Sequence, residues 1–481
     1  MSKNLEMRQK IDQWINTVRQ QYIDDVVGAV SIPSVSVFSE GKYPFGEACA
    51  KMLDYMESCT KKYGFNYTNH EYYCGTSLIK GSKGKGEIGM FGHTDVVEAG
   101  EDWTVEPFCG QAKDGYIVGR GSNDNKGSTF ACIYAMRFFK ENNIQLKNNV
   151  RLLYGCNEEA GMEDIKYYGK EYGFPTLTIV PDSWFPISKS EKGVINLTVD
   201  APVGSGNLLL FQAGENGITI PNKAVCVISG YTLEQVQNAA ETYSNIHAEA
   251  HKDGVLITAA GIAKHAAFPE GSVNAIGVLA SFLLAENLVY GDAKSVLEFV
   301  SNSLSDYYGK ALNIDFHDDS AGRTSHTIAM MELIDQKMEM HFNVRYPAAP
   351  SIDGDMLYER FMSYFDKPFL TKGSSRHSRP HAVDINHPVV DIFCGISSEI
   401  LGQPLKPFAQ AGGTYTCATP NSFAAGPAVH GREQQLFKQE GHGGAHQPDE
   451  CMEIEVLLNG IRIYILALLA IDEWLDHELS K

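Results

Sequence analysis

None of the ten cysteines in this 481-residue chain stands in a Cys-x-x-Cys pair, and most have apolar neighbours, as in Phe130-Ala131-Cys132-Ile133. The pattern argues against a disulfide framework and for reduced, buried thiols in a reducing compartment. Basic residues are scarce, 40 Lys and Arg against 59 Asp and Glu, and the formal charge of -19 would repel a phosphate backbone, so nucleic acid is not an expected partner. No Gly-x-Ser-x-Gly elbow occurs and no cysteine sits in an acyl-transfer setting, which argues against a Ser or Cys nucleophile. Residues 1–18, MSKNLEMRQKIDQWINTV, form an amphipathic polar helix pattern without an apolar signal core. The most apolar run, Ile463 to Ile471, is nine residues and too short to span a bilayer. A cytoplasmic chain with no membrane partner is the expectation.

What is present is an ordinary globular composition, 43% hydrophobic and 21% charged, over a length that predicts two to three domains. Three apolar runs between residues 87 and 182 each stop at acidic or imidazole residues. Glu87 to Gly92 ends at His93, Val150 to Gly155 leads to Glu158-Glu159, and Leu177 to Val180 leads to Asp182. With a helix over about Gly127 to Glu141 between the first two, the pattern is that of a buried parallel sheet, whose polar sites collect beyond the strand ends. From Glu191 to Pro380 alternating runs such as Val194 to Val199 and Lys337 to Phe342 predict antiparallel strands beside helices. The hydrophilic stretch Thr371 to Pro380 reads as a return linker, and an amphipathic helix from about Glu453 closes the chain. The predicted fold is α/β: a discontinuous, mostly parallel-sheet catalytic domain (1–187 and 384–481) with an inserted α+β lid domain (188–383).

Residue chemistry then selects candidates. In His93-Thr94-Asp95 the imidazole suits a metal, with Asp95 as the carboxylate that takes its other N–H and fixes the tautomer. Gly119-Arg120-Gly121-Ser122-Asn123-Asp124-Asn125-Lys126-Gly127 opens a helix, and its spacing is not that of a phosphate loop. Asp124 there is either a carboxylate bridging two cations or a helix N-cap. Of Glu158 and Glu159, one can bind metal while its neighbour accepts a proton. Asp182 adds a carboxylate, and His446 in Gly441 to Glu450 is the favoured loop ligand, with His442 as the alternative. By itself His265, among small residues, reads as structural.

In order along the chain, HTD, GRGSNDNKG, NEEAG, VPDSWFP, GIAKHAAFPEGSVNA and GAHQPDE resemble the co-catalytic zinc peptidases of family M-twenty. GHTDVVEAG, the spacing of Trp103, Pro107 and Phe108, FPISKSEKG, FNVRYP and AGGTY are similar to its PepV-type dipeptidase subgroup in particular. The resemblance covers essentially the whole chain. It implies two divalent ions, zinc first with Mn or Co compatible: one held by Asp124, Glu159 and His446, the other by His93, Asp124 and Asp182. It implies Glu158 as general acid/base, Asp95 as orienter, His265 on the lid as oxyanion donor, and Arg345 at the substrate's carboxylate end. Asn274, Gly413 and Thr414 are the further substrate contacts that it implies. A cis peptide after Asp124 is expected, as are a short-peptide substrate and a monomer, since the lid of about 190 residues matches the enlarged subgroup lid. N-acyl-amino-acid deacylation or desuccinylation is the alternative reaction. Two departures, Ile218 ahead of Ile220-Pro221 where Asn is usual, and Thr416-Cys417 where Ala-Arg is usual, predict an altered dipeptide range.

Overall fold

The computed structural model describes residues 3–319, 321–349, 352–429, 436–439 and 441–481, with side chains from residue 5 onward. The chain divides into two compact units: Met1–Lys189, Val383–Phe408 and Thr414–Lys481 form the first, and Ser190–Ala382 with Ala409–Gly413 the second.

The first unit is built on a six-stranded sheet in the order Tyr67–His70, Cys74–Ile79, Asn149–Gly155, Glu87–His93, Leu177–Val180, Ser422–Ala424. The last four strands are mutually parallel, and the first two pair antiparallel at one edge. The strand Glu87–His93 is buried from its second residue to its last, which is why its sequence is a continuous apolar run and not an alternation. Helix Lys126–Glu141 returns the chain between two parallel strands and packs against helices Lys3–Val30 and Ile454–Glu478. Fourteen of its sixteen residues, all but Lys140 and Glu141, are buried, among them Phe130, Ile133, Tyr134 and Phe138.

Helix Ile454–Glu478 runs well beyond the nine-residue apolar stretch that the sequence suggested. By length and composition it could cross a membrane, and 67% of its most apolar window is buried inside the protein. Leu457, Leu458, Ile461, Ile465 and Leu468 all belong to the core of the first unit. Glu455, Asn459 and Arg462 interrupt the apolar run without interrupting the helix, which starts beside the predicted Glu453.

The second unit carries an eight-stranded antiparallel sheet in the order Ile246–His251, Gly254–Ala260, Lys223–Ile228, Leu208–Ala213, Ser325–Ile334, Lys337–Tyr346, Gly193–Pro202, Thr371–Ser378. Strand Gly193–Pro202 alternates strictly between buried and outward positions, and it pairs in register from Gly193↔Tyr346 to Pro202↔Lys337. The predicted linker at Thr371 to Pro380 is instead the edge strand Thr371–Ser378, bonded to Gly193–Pro202 with a register shift between Leu197 and Val199. Six of its eight residues are exposed, so it carries no apolar alternation by which a sequence reading could find it.

Candidate active site

The parallel strands end where the first unit gathers its acids. Strand Glu87–His93 delivers His93 at its last residue. The imidazole Nδ1 meets the Asp95 carbonyl at 3.0 Å and the Asp95 carboxylate at 3.4 Å. Both are acceptors, so the proton sits on Nδ1 and Nε2 is the atom presented to Asp124 Oδ1, 3.0 Å away, and to Asp182 Oδ2, 3.7 Å away. The nearer of the two Asp95 acceptors is the backbone oxygen and not the carboxylate that the sequence suggested. The carboxylate is engaged on the adjoining loop, accepting the N–H of Glu158 at 3.2 Å and of Glu159 at 3.0 Å.

His446 approaches from the other side. Its Nε2 lies 3.1 Å from Asp124 Oδ2 and 2.9 Å from Glu159 Oε1. The two oxygens of Asp124 therefore face two different imidazoles. Asp124 is not the helix N-cap; that position is Asn125, whose side chain makes no cap bond. The peptide Asp124–Asn125 is cis, as the resemblance implied. His446 adopts a left-handed backbone conformation, φ +64°, which histidine tolerates better than bulkier residues. The alternative ligand, His442, is buried with its Nδ1 2.8 Å from Asp449 Oδ2, a carboxylate that also holds Thr104.

Donor atoms of His93, Asp124 and Glu159 lie within 4.8 Å of one another, as do those of His93, Glu158 and Asp182. Ligand bonds of ~2.0–2.2 Å around a tetrahedral cation place donors roughly 3.3–3.6 Å apart, so the observed imidazole–carboxylate spacings fit a metal after small shifts. Charge points the same way: five carboxyl groups (Asp95, Asp124, Glu158, Glu159 and Asp182) meet two imidazoles. Burial would push the His93 imidazole down, yet hydrogen bonds to Asp124 and Asp95 and the charge of Asp182 hold it well above its usual value. His446 is likewise opposed by burial but lifted by Glu159 and Asp124, up to about 12. Burial raises the Glu158 carboxyl well above the usual range; the His93 charge opposes this, and Asp182, Glu159 and Asp124 add to it. A cleft that drives protons onto its imidazoles and onto Glu158 is one built for added positive charge.

Several residues that sequence reasoning passed over hold this arrangement. Asn125 donates through Nδ2 to Asp182 Oδ1 at 3.0 Å and to the Pro181 carbonyl at 2.7 Å, and its Oδ1 accepts from Thr129. Asp164 accepts the N–H groups of Cys156 and Asn157 at 2.7 and 2.8 Å and the Tyr415 hydroxyl at 2.5 Å, fixing the approach to Glu158. Gly155 is obligatory there, because a Cβ would overlap the Tyr415 hydroxyl and crowd Asp164. Asn125 lies inside a motif already singled out, and only its role was missed. Tyr415 likewise closes the AGGTY motif, and Asp164, 251 residues away, carries no local signal.

The remaining candidates lie mostly in the second unit. His265 is exposed on the two-residue strand Lys264–His265, paired with Thr219–Ile220; its Nδ1 accepts the Ala267 N–H at 3.2 Å, which leaves the proton on Nε2. Arg345 is 8% exposed and donates to the Ala411 carbonyl at 2.7 Å, and burial brings its guanidinium down to about 10. Asn274 caps helix Ala275–Ala285 through the Ile276 N–H and donates to Thr327 and Ile328. Gly413 ends the second unit's short segment Ala409–Gly413. Thr414, in the first unit, is buried and caps the short 3-10 turn Tyr415–Ala418 that contains the half-buried Cys417. The Ile218 carbonyl accepts the Ala266 N–H at 2.8 Å.

Residues 89–470, which contain all five candidate ligands, match the profile of Peptidase family M20/M25/M40. The chain belongs to that family. This M20 metallopeptidase, a hydrolase, is 30% identical to a Bacillus subtilis (strain 168) protein named "Putative dipeptidase YtjP", over 91% of this chain and 92% of the relative. A Staphylococcus epidermidis relative with the same generic name is 28% identical, over 94% and 97%. Among solved structures it is similar to human carnosine dipeptidase 1, with a TM-score of 0.59 at 13% identity over 97% of this chain and 99% of that one. It is also similar to the di-peptidase Dug1p of Saccharomyces cerevisiae, with a TM-score of 0.56 at 14% identity over 97% and 98%. At such identities these two establish the shared fold.

Proposed function

We propose that this M20 member is a dipeptidase that hydrolyses Xaa-Xaa peptides with two divalent cations, one between Asp124, Glu159 and His446 and the other between His93, Asp124 and Asp182. The observation that carries the proposal is the pair of Asp124 oxygens, each facing a different imidazole, which is how one carboxylate serves two cations. Three carboxylates and two imidazoles suit zinc, with manganese or cobalt compatible. When bound, two such ions polarise the scissile carbonyl and bring the pKa of a water from 15.7 to about 7.

The chain's own groups do the rest. Glu158, buried among like charges, takes the proton of the attacking water and returns it to the leaving amine, a role that calls for a carboxyl with a raised pKa. Asp95 keeps the His93 tautomer and clamps the Glu158-Glu159 backbone. In this reading the second unit is the lid and supplies the Nε2–H of His265 to the developing oxyanion, a type of donor that contributes about 3–4 kcal/mol. Arg345 receives the substrate's carboxylate end, with Asn274, Gly413 and Thr414 completing substrate contacts. The dipeptidase names of the relatives support a two-residue substrate. None of the ten cysteines is in a disulfide, which supports a cytoplasmic setting. The enlarged lid supports a monomer.

Glu158→Gln is the deciding variant. It is expected to keep two cations per chain by elemental analysis while lowering kcat on dipeptides by roughly 10²–10⁴-fold. Cleavage of N-acyl amino acids alone, in a panel run beside dipeptides, would replace the dipeptidase reading with a deacylase one.

A further inference from the structure

The His446 ligand and the Asp124 ligand come from segments more than 300 residues apart, and Glu450, on the His446 segment, joins them through the bonds of its carboxylate to the Asp124 loop. Glu450 is fully buried, and its Oε1 accepts the N–H groups of Gly121, Asn123 and Asp124, each at 3.0 Å. Its Oε2 accepts from Arg120 Nη1 at 2.6 Å, and its carbonyl accepts the Gly119 N–H at 2.8 Å. Arg120, also buried, extends the connection by donating to the carbonyl of Gln447, the residue after His446, at 3.2 Å. The His446 loop is closed on itself by Gly443 N–H to Pro448 at 2.8 Å and Cys451 N–H to Gly443 at 3.0 Å.

The physical need for such a hub lies in the Asp124 loop. Gly119 and Gly121 sit at φ +132° and +92°, so the backbone that carries Asp124 would be free to wander if nothing held it. Three N–H groups converging on one ionised oxygen are charge-assisted bonds that remove this freedom. We propose that Glu450 is a positioning residue that locks the Asp124 and His446 loops into one frame and so sets the spacing of the two cation positions. It touches neither substrate nor cation; it acts through the backbone of Asp124 and, with Arg120, through the loop of His446. The inference rests on the two-cation reading above.

Glu450→Gln and Arg120→Lys test it, with Asp472→Asn as a matched control. Asp472 is another buried carboxylate that accepts backbone N–H groups, those of Lys147 and Asn148, but at the start of strand Asn149–Gly155, the opposite end from the ligands. The readout is zinc affinity and stoichiometry by chelator competition, with thermal unfolding of the cation-free proteins alongside. Glu450→Gln is expected to weaken zinc binding at both positions by about 10–100-fold, and Arg120→Lys to weaken it to a lesser degree. KM should stay near wild type and kcat should recover at saturating zinc. Asp472→Asn should lower the unfolding temperature and leave zinc affinity unchanged. If Glu450→Gln does not fold, Arg120→Lys, which keeps the charge and loses the fork, carries the test. Wild-type zinc affinity in a folded Glu450→Gln or Arg120→Lys protein overturns the proposal, as does an equal loss in Asp472→Asn. A wild-type chain that binds no zinc would instead overturn the two-cation reading itself.

Discussion

At the scale of single residues, the candidate centre depends on groups that never touch a cation. Asn125 is the clearest case, because its amide holds both the Asp182 carboxylate and the Pro181 carbonyl behind it. Asn125→Ala removes the amide bond that orients Asp182. The expected result is a 10–100-fold loss of cation affinity with the fold intact, read by chelator competition and circular dichroism. His446, 38% exposed at its side chain, gains its place from Asp124 and Glu159, whereas His442 is pinned to Asp449. Both lie in one glycine-rich loop, where the sequence favours His446 and leaves His442 as the alternative, and they differ in the partner each one faces.

At the scale of elements, helix Ile454–Glu478 is the spine of the first unit. It packs against helices Lys126–Glu141 and Pro388–Leu401 and thereby holds the helix that begins just after Asp124. Ile461 is fully buried at its centre. Ile461→Ala is expected to destabilise the first unit by about 2–5 kcal/mol through the lost transfer energy and the cavity left behind, measured by chemical denaturation. The parallel strands were legible in the sequence because burial on both faces leaves an uninterrupted apolar run. The edge strand Thr371–Ser378 was not, because its stability comes from backbone bonds to Gly193–Pro202 and its side chains face solvent.

At the scale of the whole molecule, each unit carries a buried histidine held neutral. In the first, His70 bonds Thr76 at 2.8 Å; in the second, His326 is 1% exposed. Burial lowers both to about 4. Below the ordinary value of 6.5 the unfolded chain binds a proton that the folded chain refuses, so stability is full above pH 6.5 and is lost as pH falls toward 4. For His326 the loss is about 3 kcal/mol, and His326→Phe should flatten the acid slope of the second unit's unfolding transition. Cations should act on the other transition. All five candidate ligands belong to the first unit, so zinc at 100 times its dissociation constant should stabilise that unit by about 2.7 kcal/mol and leave the second unmoved in calorimetry.

The sequence by itself determined which chemistry is available: acids and imidazoles at the ends of buried strands, a glycine-rich turn before a helix, and the absence of any nucleophile motif. Those are local facts, fixed by residue type and short spacing. Only the tertiary structure decided which oxygen of Asp124 faces which imidazole, and that Glu450, Asn125 and Asp164 hold the frame. Such contacts join positions tens to hundreds of residues apart, and a hydrogen bond across that distance leaves no periodicity in the chain to read.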